Sequence, residues 1–276
     1  NSQHFSAFLD YLNTHDMTLL ESYDHVNMQI DLDEYLNYMV SEIYFANVDW
    51  PGWNLKYWRP RTTDGKWRWI TYDLDDGFNL GRPEHYGYDN MFDFATATDG
   101  DGWPNPPWST LVFRKLLENN QFVVDFTNRY ADHMNSIWQS DQVISTIDNL
   151  QDEIAQEMVL HLERWNLSND DWLWEMDRLR NFATERVDEA RSIISEELGV
   201  GGLVKLSLAI EPAGSGKIRL NDNLDVWSPQ WEGHYYSNIP VEALAIPNPG
   251  YSFVAWATGN DNPISPLLDI SFSGDT

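Results

Sequence analysis

The stretch that most constrains the fold of this chain runs from Asn47 to Gly81 and carries acidic and amide side chains near both of its ends. Between these ends lie two apolar and aromatic runs with strand propensity, residues 55–60 and 67–72, and the turn dipeptide Asp64-Gly65 connects them. Antiparallel pairing of the two runs brings the polar side chains to the same end of a β-hairpin. The sequence therefore predicts a hairpin that gathers a polar cluster, consisting of Asn47, Asp49, Asn54, Asp73, Asp75 and Asp76.

The types and spacing of these side chains fit phosphoryl transfer. Asp49 and Asn54 are five residues apart. In phosphoryl transfer an Asp orients or deprotonates the acceptor hydroxyl, and an Asn a few residues later ligates Mg²⁺. Asp73 and Asp75 share a strand face if the second run continues that far, and hard cations are held by such oxygen ligands. Two other interpretations stay open at this point: a glycosidase-like pair of carboxylates, and acids with a structural role only.

The composition of the chain excludes several classes of function and disfavours others. The chain has 276 residues, of which 42% are hydrophobic, so it can bury a core in one large domain or in a domain with an added module. Its formal charge of −27 repels nucleic acid and anionic membrane surfaces, and we expect neither as a partner. The absence of cysteine excludes disulfides and thiol catalysis. No apolar run is long enough to predict a membrane span.

Helical periodicity dominates the first part of the chain. It predicts two short helices within residues 5–23 and one helix over residues 31–46 that leads directly to the polar cluster. Asp31 with Glu34 forms a capping-box-like start for this helix. Residues 109–198 are helical throughout. We therefore expect a mostly helical domain that carries the acidic hairpin.

The pattern changes at residues 199–202, which are rich in Gly and mark a boundary. Beyond it, short alternating runs separated by turn residues predict strands: LVKLSLAI, GKIRL, PVEALAI and YSFVAWA. The fold class is thus α+β, with a helical domain over 1–198 and a small β-rich domain over 202–276.

In the irregular segment before residue 109, Asp99 and Asp101 suggest a calcium loop or an ordinary polar turn.

Two segments, YFANVDWPGWNLKYWRP (44–60) and GKWRWITYDLDDGF (65–78), resemble the core signature of the spore-coat CotH kinase family. In that family an N-x-D motif, a nearby Asn and a W-D-L-D-x-x-F-like motif follow in this order. The likeness continues through FRKLLENNQFVVDFTNRYADHMN, HLERW and the helix that contains Arg186, and covers about residues 1–195. Tyr72 stands where the family commonly has Trp.

The resemblance implies a fold like the C-terminal lobe of a protein kinase, and transfer of phosphate from ATP to Ser residues of exported protein substrates. It implies that Asp49 is the catalytic Asp. It also implies that Asn54 and Asp73 ligate Mg²⁺ or Mn²⁺, with Asp75 as an accessory carboxylate. Asn47 would brace the loop. A secreted or cell-surface location in a bacterium follows from the same resemblance.

The β-rich part resembles repeats of secreted bacterial proteins. These repeats share a G-S-G motif, a Trp-x-Gly-x-Tyr motif and a Pro-Gly-Tyr-x-Phe-x-x-Trp ending. The corresponding residues here are Gly214-Ser215-Gly216, Trp231 to Tyr235 and Pro249 to Trp256. Because such repeats accompany cell-surface proteins, this likeness also favours a surface location.

A kinase also needs a lobe that covers the nucleotide with a loop, often Gly-rich, and supplies a Lys for its phosphates. Residues 1–51 contain no Gly, and residues 1–55 contain neither Lys nor Arg. We therefore expect the C-terminal lobe of a longer protein, inactive on its own; the alternative is a naturally short, inactive relative. The competing class is a non-enzymatic surface or adhesion protein, in which Trp-rich grooves on a kinase-like scaffold contact cell-surface glycans or proteins.

Overall fold

The computed structural model describes residues 2–78, 80, 90–98, 100, 105–258 and 262–272. Helices make up most of the described chain up to Leu198, and every helix or strand described after it is a strand. The predicted α+β class is therefore confirmed. Among the described helices, none is both long and apolar enough to cross a membrane. The calcium loop suggested at Asp99 and Asp101 lies outside the described residues.

The helices and strands follow one another in two blocks. The described helices are α1 (Ser2–Thr14), α2 (Leu20–Asn27), α3 (Leu32–Tyr44), α4 (Met91–Thr96), α5 (Leu111–Leu116), α6 (Asn120–Met134), α7 (Ser140–Trp165) and α8 (Asn169–Leu198). The described strands are β1 (Tyr57–Trp58), β2 (Arg68–Trp69), β3 (Leu203–Ala209), β4 (Gly216–Leu220), β5 (Leu224–Val226), β6 (Gln230–Tyr236), β7 (Val241–Pro247) and β8 (Leu267–Ile270).

The chain divides into two compact units. The first contains Asn1–Asn120 and Ile137–Ile193, and the second contains Gln121–Ser136 and Ile194–Thr276. Helix α6 is thus part of the β-rich unit, although the sequence pattern separated all of the helices from that unit at residues 199–202. The domain boundaries predicted from sequence stay a prediction.

The hairpin of the first unit is shorter than its sequence predicted. Strands β1 and β2 pair antiparallel, with Tyr57 opposite Trp69, and contain only two residues each. Because β2 ends at Trp69, the strand does not continue as far as Asp73 and Asp75, and the condition for their sharing a strand face is not met.

Groups at and just before the start of α3 bond the edge of the second strand that faces away from β1. Trp67 N donates to Gln29 O at 2.7 Å, and Asp31 N donates to Trp67 O at 2.8 Å. The Glu34 carboxylate accepts from Trp69 N at 2.8 Å instead of closing a capping box, while Asp31 caps α3 by accepting from Glu34 N at 3.5 Å. The predicted capping box is therefore only half formed, and its Glu holds the hairpin against α3.

Helix α3 ends in a Schellman motif immediately before the polar cluster. Ala46 adopts a left-handed φ of 55°, Ala46 N donates to Ile43 O at 3.3 Å, and Asn47 N donates to Glu42 O at 3.2 Å. These two bonds are the ones that define this helix end, which usually carries Gly at the left-handed position. The motif turns the chain sharply, so that Asn47 lies against the last turn of α3.

Arg186 of α8 completes this helix end. Its guanidinium is fully buried and donates from Nε to Tyr44 O at 2.6 Å and from Nη2 to Ile43 O at 2.7 Å. A helix leaves its last carbonyl groups without intrahelical partners, and a cation there also interacts favourably with the helix dipole. Arg186 therefore fixes the end of α3 and, with it, the start of the polar cluster.

The second unit consists of antiparallel sheets with the strand orders β3-β6 and β5-β4-β7-β8, together with α6. Asp132 on α6 accepts from Tyr235 Oη at 2.7 Å, Asn221 Nδ2 at 3.0 Å and Asn223 Nδ2 at 3.2 Å. These buried hydrogen bonds explain why α6 belongs to this unit.

The predicted YSFVAWA strand is wrong, because the described residues 251–257 form no strand and Val254 is 80% exposed.

Substitution of Arg186 tests the support of the α3 end. We expect Arg186→Met to lower the free energy of unfolding by about 3 kcal/mol, because two buried carbonyl groups lose a charged donor. Chemical denaturation followed by circular dichroism measures this loss.

The matched control is Arg180→Met on the same helix, where the guanidinium makes partly exposed ion pairs with Asp148 and Asp177. Pairs of that kind contribute less than about 1 kcal/mol. Equal losses in the two variants would contradict a special role for Arg186.

Candidate functional site

Two segments of the first unit, residues 47–54 and 73–76, carry the predicted site residues and lie side by side. Asn47 Nδ2 donates to Asp73 O at 3.4 Å, and Val48 N donates to Asp76 O at 3.4 Å. Both bonds join one segment to the backbone of the other. The structure therefore brings together the two polar groups of residues that the hairpin pattern placed at one end.

The second segment is anchored just after its acids. Phe78 N donates to Phe45 O at 2.8 Å, and the Phe78 ring packs on the rings of Phe45 and Phe182, with centroid distances of 5.1 and 4.8 Å. Arg178 of α8 donates from Nη1 to Phe78 O. Gly77 permits this close approach, since a Cβ there would lie 2.8 Å from Phe45 O. Helix α8 thus holds both segments, through Arg186 at one and Arg178 at the other.

Asp49 and Asn54 form a direct pair. Asn54 Nδ2 donates to Asp49 Oδ2 at 2.6 Å, with Asn54 in the left-handed conformation at φ 49° that Asn tolerates better than most residues. The loop between them is fixed by Trp50, which is buried and donates from Nε1 to Tyr38 Oη at 2.5 Å. The other carboxylate oxygen of Asp49, Oδ1, is buried and has no hydrogen-bond partner among the described residues.

The electrostatics of the pair follow from burial and from neighbouring acids. Burial raises the pKa of the Asp49 carboxyl above its usual value, and the hydrogen bond from Asn54 opposes this rise. The charges of Asp76, Asp73 and Asp75 raise the pKa of Asp49 further. Clustered carboxylates repel one another, so the site favours uptake of a proton or of a cation.

Asp73 and Asp75 themselves are exposed, and Asp73 has a left-handed φ of 59°. In the described part of the chain, no group of three or more His, Asp or Glu side chains is arranged to hold a metal ion. Mg²⁺ usually takes one or two protein carboxylates and completes its shell with waters and substrate phosphates. The amide oxygen of Asn54 and the exposed carboxylates of Asp73 and Asp75 fit a cation held in that way, rather than one in a closed protein cage.

Sequence reasoning missed Glu42, which is fully buried in the last turn of α3. Its Oε2 accepts from Asn47 Nδ2 at 2.8 Å. A signal was present, because Glu42 follows Tyr35 by seven residues and Met39 by three, and so lies on the same helix face as these buried residues. A charged residue on an apolar helix face is rarely buried unless it is paired or neutral.

An open groove of about 430 Å³ adjoins Asn54. Its aromatic lining comes from Trp53, Tyr57, Tyr72 and Trp108, and the Lys56 ammonium lies 3.8 Å from the centre of the Tyr72 ring. Trp53 and Trp108 are both more than half exposed. Aromatic surface is therefore available to a ligand directly beside the Asp49–Asn54 pair.

Comparisons with known proteins identify the family. A family profile described as CotH kinase protein matches residues 1–189, and this match includes both segments of the site. Neither the curated proteins nor the solved structures gave a match to the chain. The likeness of residues 202–276 to secreted bacterial repeats stays a prediction. With the profile covering more than half of its length, the chain belongs to the CotH kinase family.

Proposed function

We propose that the chain carries the acceptor and metal side of a kinase site that transfers phosphate from ATP to Ser side chains of exported proteins, with Mg²⁺ or Mn²⁺. Membership in the family makes the protein kinase-like in general. The observation that carries the finer proposal is the Asp49–Asn54 pair. Its amide fixes one carboxylate oxygen and leaves the other buried oxygen without a partner among the described residues.

In this proposal Asp49 is the catalytic residue. Its carboxylate accepts the hydrogen bond of the Ser hydroxyl and takes the proton as the new oxygen–phosphorus bond forms and ADP leaves. The neighbouring acids and burial raise the pKa of Asp49, which makes it a stronger base than an ordinary Asp. The hydrogen bond from Asn54 holds the carboxylate in one orientation for this transfer.

The remaining polar residues would hold the cation. Because Asn54 uses its Nδ2 to bind Asp49, its amide oxygen is the group that would ligate Mg²⁺ or Mn²⁺. The carboxylates of Asp73 and Asp75 would complete the protein ligands, and Asn47 braces Asp73 through its backbone carbonyl. When bound, the cation neutralises negative charge on the ATP phosphates.

A secreted or cell-surface location in a bacterium is part of the same proposal. It is supported by the spore-coat association of the family and by the likeness of the β-rich part to secreted repeats. The net charge of −27 suits a surface protein that does not bind nucleic acid.

Substitution of the catalytic Asp tests the proposed reaction. We expect Asp49→Asn to lower the rate of phosphate transfer by at least about 100-fold, because a general base contributes that much or more. Nucleotide affinity should stay near the wild-type value, since Asp49 acts on the acceptor. Labelled ATP and an exported substrate protein give the rate, and calorimetry gives the affinity.

The matched control is Asp64→Asn, which removes the same charge from an exposed turn of the hairpin connection. It should leave the transfer rate unchanged. A wild-type rate in Asp49→Asn would exclude Asp49 as the base.

Substitution of Asp73 tests the cation side separately. We expect Asp73→Ala to abolish the part of nucleotide binding that depends on Mg²⁺, because a carboxylate ligand is lost. Calorimetric titration with ATP, with and without the cation, measures this effect. Unchanged affinity in the presence of Mg²⁺ would remove Asp73 from the site.

The aromatic groove favours a second candidate, a surface protein that binds glycans. Exposed Trp53 and Trp108 provide flat apolar surfaces of the kind that stack on sugar rings, and Lys56 lies beside them. A glycan array and a nucleotide thermal-shift screen on the same protein separate the candidates. Glycan binding without any nucleotide-induced shift would favour the scaffold over the kinase.

A further inference from the structure

We propose that Glu42 is a positioning residue of the site, and that it acts as a neutral carboxylic acid joined to the Asn47 amide by two reciprocal hydrogen bonds. The pair itself follows from the packing of α3. Only its effect on phosphate transfer rests on the proposed function. Glu42 touches no substrate in this account, because it acts through Asn47.

The two residues already share two contacts. Asn47 Nδ2 donates to Glu42 Oε2 at 2.8 Å, and Asn47 N donates to Glu42 O at 3.2 Å. Both residues are completely buried. The Schellman motif at the end of α3 sets this proximity, because it folds the chain back and brings the Asn47 side chain onto the helix.

One atom of each side chain remains unpaired. Among the described residues, no donor reaches Glu42 Oε1 or Asn47 Oδ1, and both atoms are buried. An ionised Glu42 and the amide oxygen of Asn47 are both acceptors, so they cannot satisfy each other. A single proton on Glu42 Oε1 makes it a donor to Asn47 Oδ1. It thereby satisfies both atoms and closes a ring of two hydrogen bonds.

The surroundings favour the neutral form. Burial raises the pKa of Glu42 to about 8, the negative charge of Asp49 adds to this rise, and the Asn47 hydrogen bond opposes it. On α3 itself, the nearby titratable group is Tyr38, which accepts a hydrogen bond from Trp50. The basic residue that α8 brings to this helix end is Arg186, whose guanidinium binds the carbonyls of Ile43 and Tyr44.

Asn47 connects the Glu42–Asn47 pair to Asp73, which lies on the side of the site proposed to bind the cation. The Nδ2 group of Asn47 donates both to Glu42 and to Asp73 O, at 3.4 Å in the second case. Hydrogen bonds at both Nδ2 and Oδ1 of Asn47 fix the orientation of the Nδ2 donor. Loss of the Glu42 proton would leave Asn47 Oδ1 without a donor and would remove one of the bonds that orient the amide toward Asp73.

A bound cation is the alternative explanation for the unpaired oxygens. Glu42 Oε1, Asn47 Oδ1 and Asp49 Oδ1 are all buried acceptors without partners among the described residues. An ionised Glu42 could ligate such a cation, whereas a neutral acid paired with Asn47 could not. The two explanations predict opposite results for the substitution of Glu by Gln.

The test compares the variants Glu42→Gln and Glu42→Leu with the wild-type protein. Gln presents one donor and one acceptor in the same places, so Glu42→Gln should keep kcat/KM within about twofold at pH 7. Glu42→Leu has neither group and should lose at least about tenfold in kcat, with circular dichroism as the check that it folds. Above pH 8 the wild-type rate should fall as Glu42 ionises, and Glu42→Gln should not show this fall.

A second measurement decides the proposal even if no phosphate transfer is found. A buried acid with a raised pKa binds its proton more tightly in the folded state, so unfolding free energy falls as pH rises from about 5 to 8. Glu34 and Asp132 have raised pKa values of about 7 and contribute in the same direction. The difference between wild type and Glu42→Gln isolates the share of Glu42, and we expect wild type to lose stability relative to the variant over this range.

Three outcomes would overturn the proposal. The first is a loss in Glu42→Gln as large as that in Glu42→Leu. The second is a stability difference between wild type and Glu42→Gln that does not change with pH. The third is a melting temperature that Mg²⁺, Ca²⁺ or K⁺ raises in wild type but not in Glu42→Gln, which would assign the unpaired oxygens to a cation.

Discussion

The buried end of helix α3 is the constraint on which the site depends. Buried carbonyl groups at a helix end need partners. Here the Schellman bonds to Glu42 O and Ile43 O and the Arg186 guanidinium supply them. Because Asn47 is itself part of this helix end, the position of the polar cluster is set by the same bonds. Arg178 likewise donates a hydrogen bond to Phe78 O. Helix α8 therefore supports both segments of the site.

Amide groups allow several acidic side chains to lie close together in this site. Asn54 holds one oxygen of Asp49, and Asn47 links Glu42 to the backbone of Asp73. An amide offers a donor and an acceptor without charge, so it orients a carboxylate and adds no repulsion. In a chain with 44 acidic and 17 basic residues, such neutral partners keep acids close together without matching every acid to a base. The resulting surplus of negative charge is the physical reason to expect a cation on the exposed side of the cluster.

The sequence predicted the long helices and the meeting of the two polar segments, because helical periodicity and hairpin pairing are local patterns. It overestimated the length of the hairpin strands. It also gave no sign that Glu34 accepts from the backbone N–H of Trp69. The sequence predicted a helix that ends at Ala46 but not the Schellman motif there, because Ala seldom adopts the left-handed conformation and gives no signal for it. Burial of Glu42, and the assignment of α6 to the second unit through Asp132, arise from tertiary contacts that spacing alone does not reveal.

In the proposed site, residues 47–54 and 73–76 together hold a divalent cation and a nucleotide. Paramagnetic broadening by Mn²⁺ in NMR spectra, recorded with a nonhydrolysable ATP analogue, tests this claim most directly because it reports distance from the ion. We expect substoichiometric Mn²⁺ to broaden the amide signals of these two segments before those of other residues. Broadening centred elsewhere, for example on the acids near residue 100, or spread evenly over the acidic surface, would contradict it.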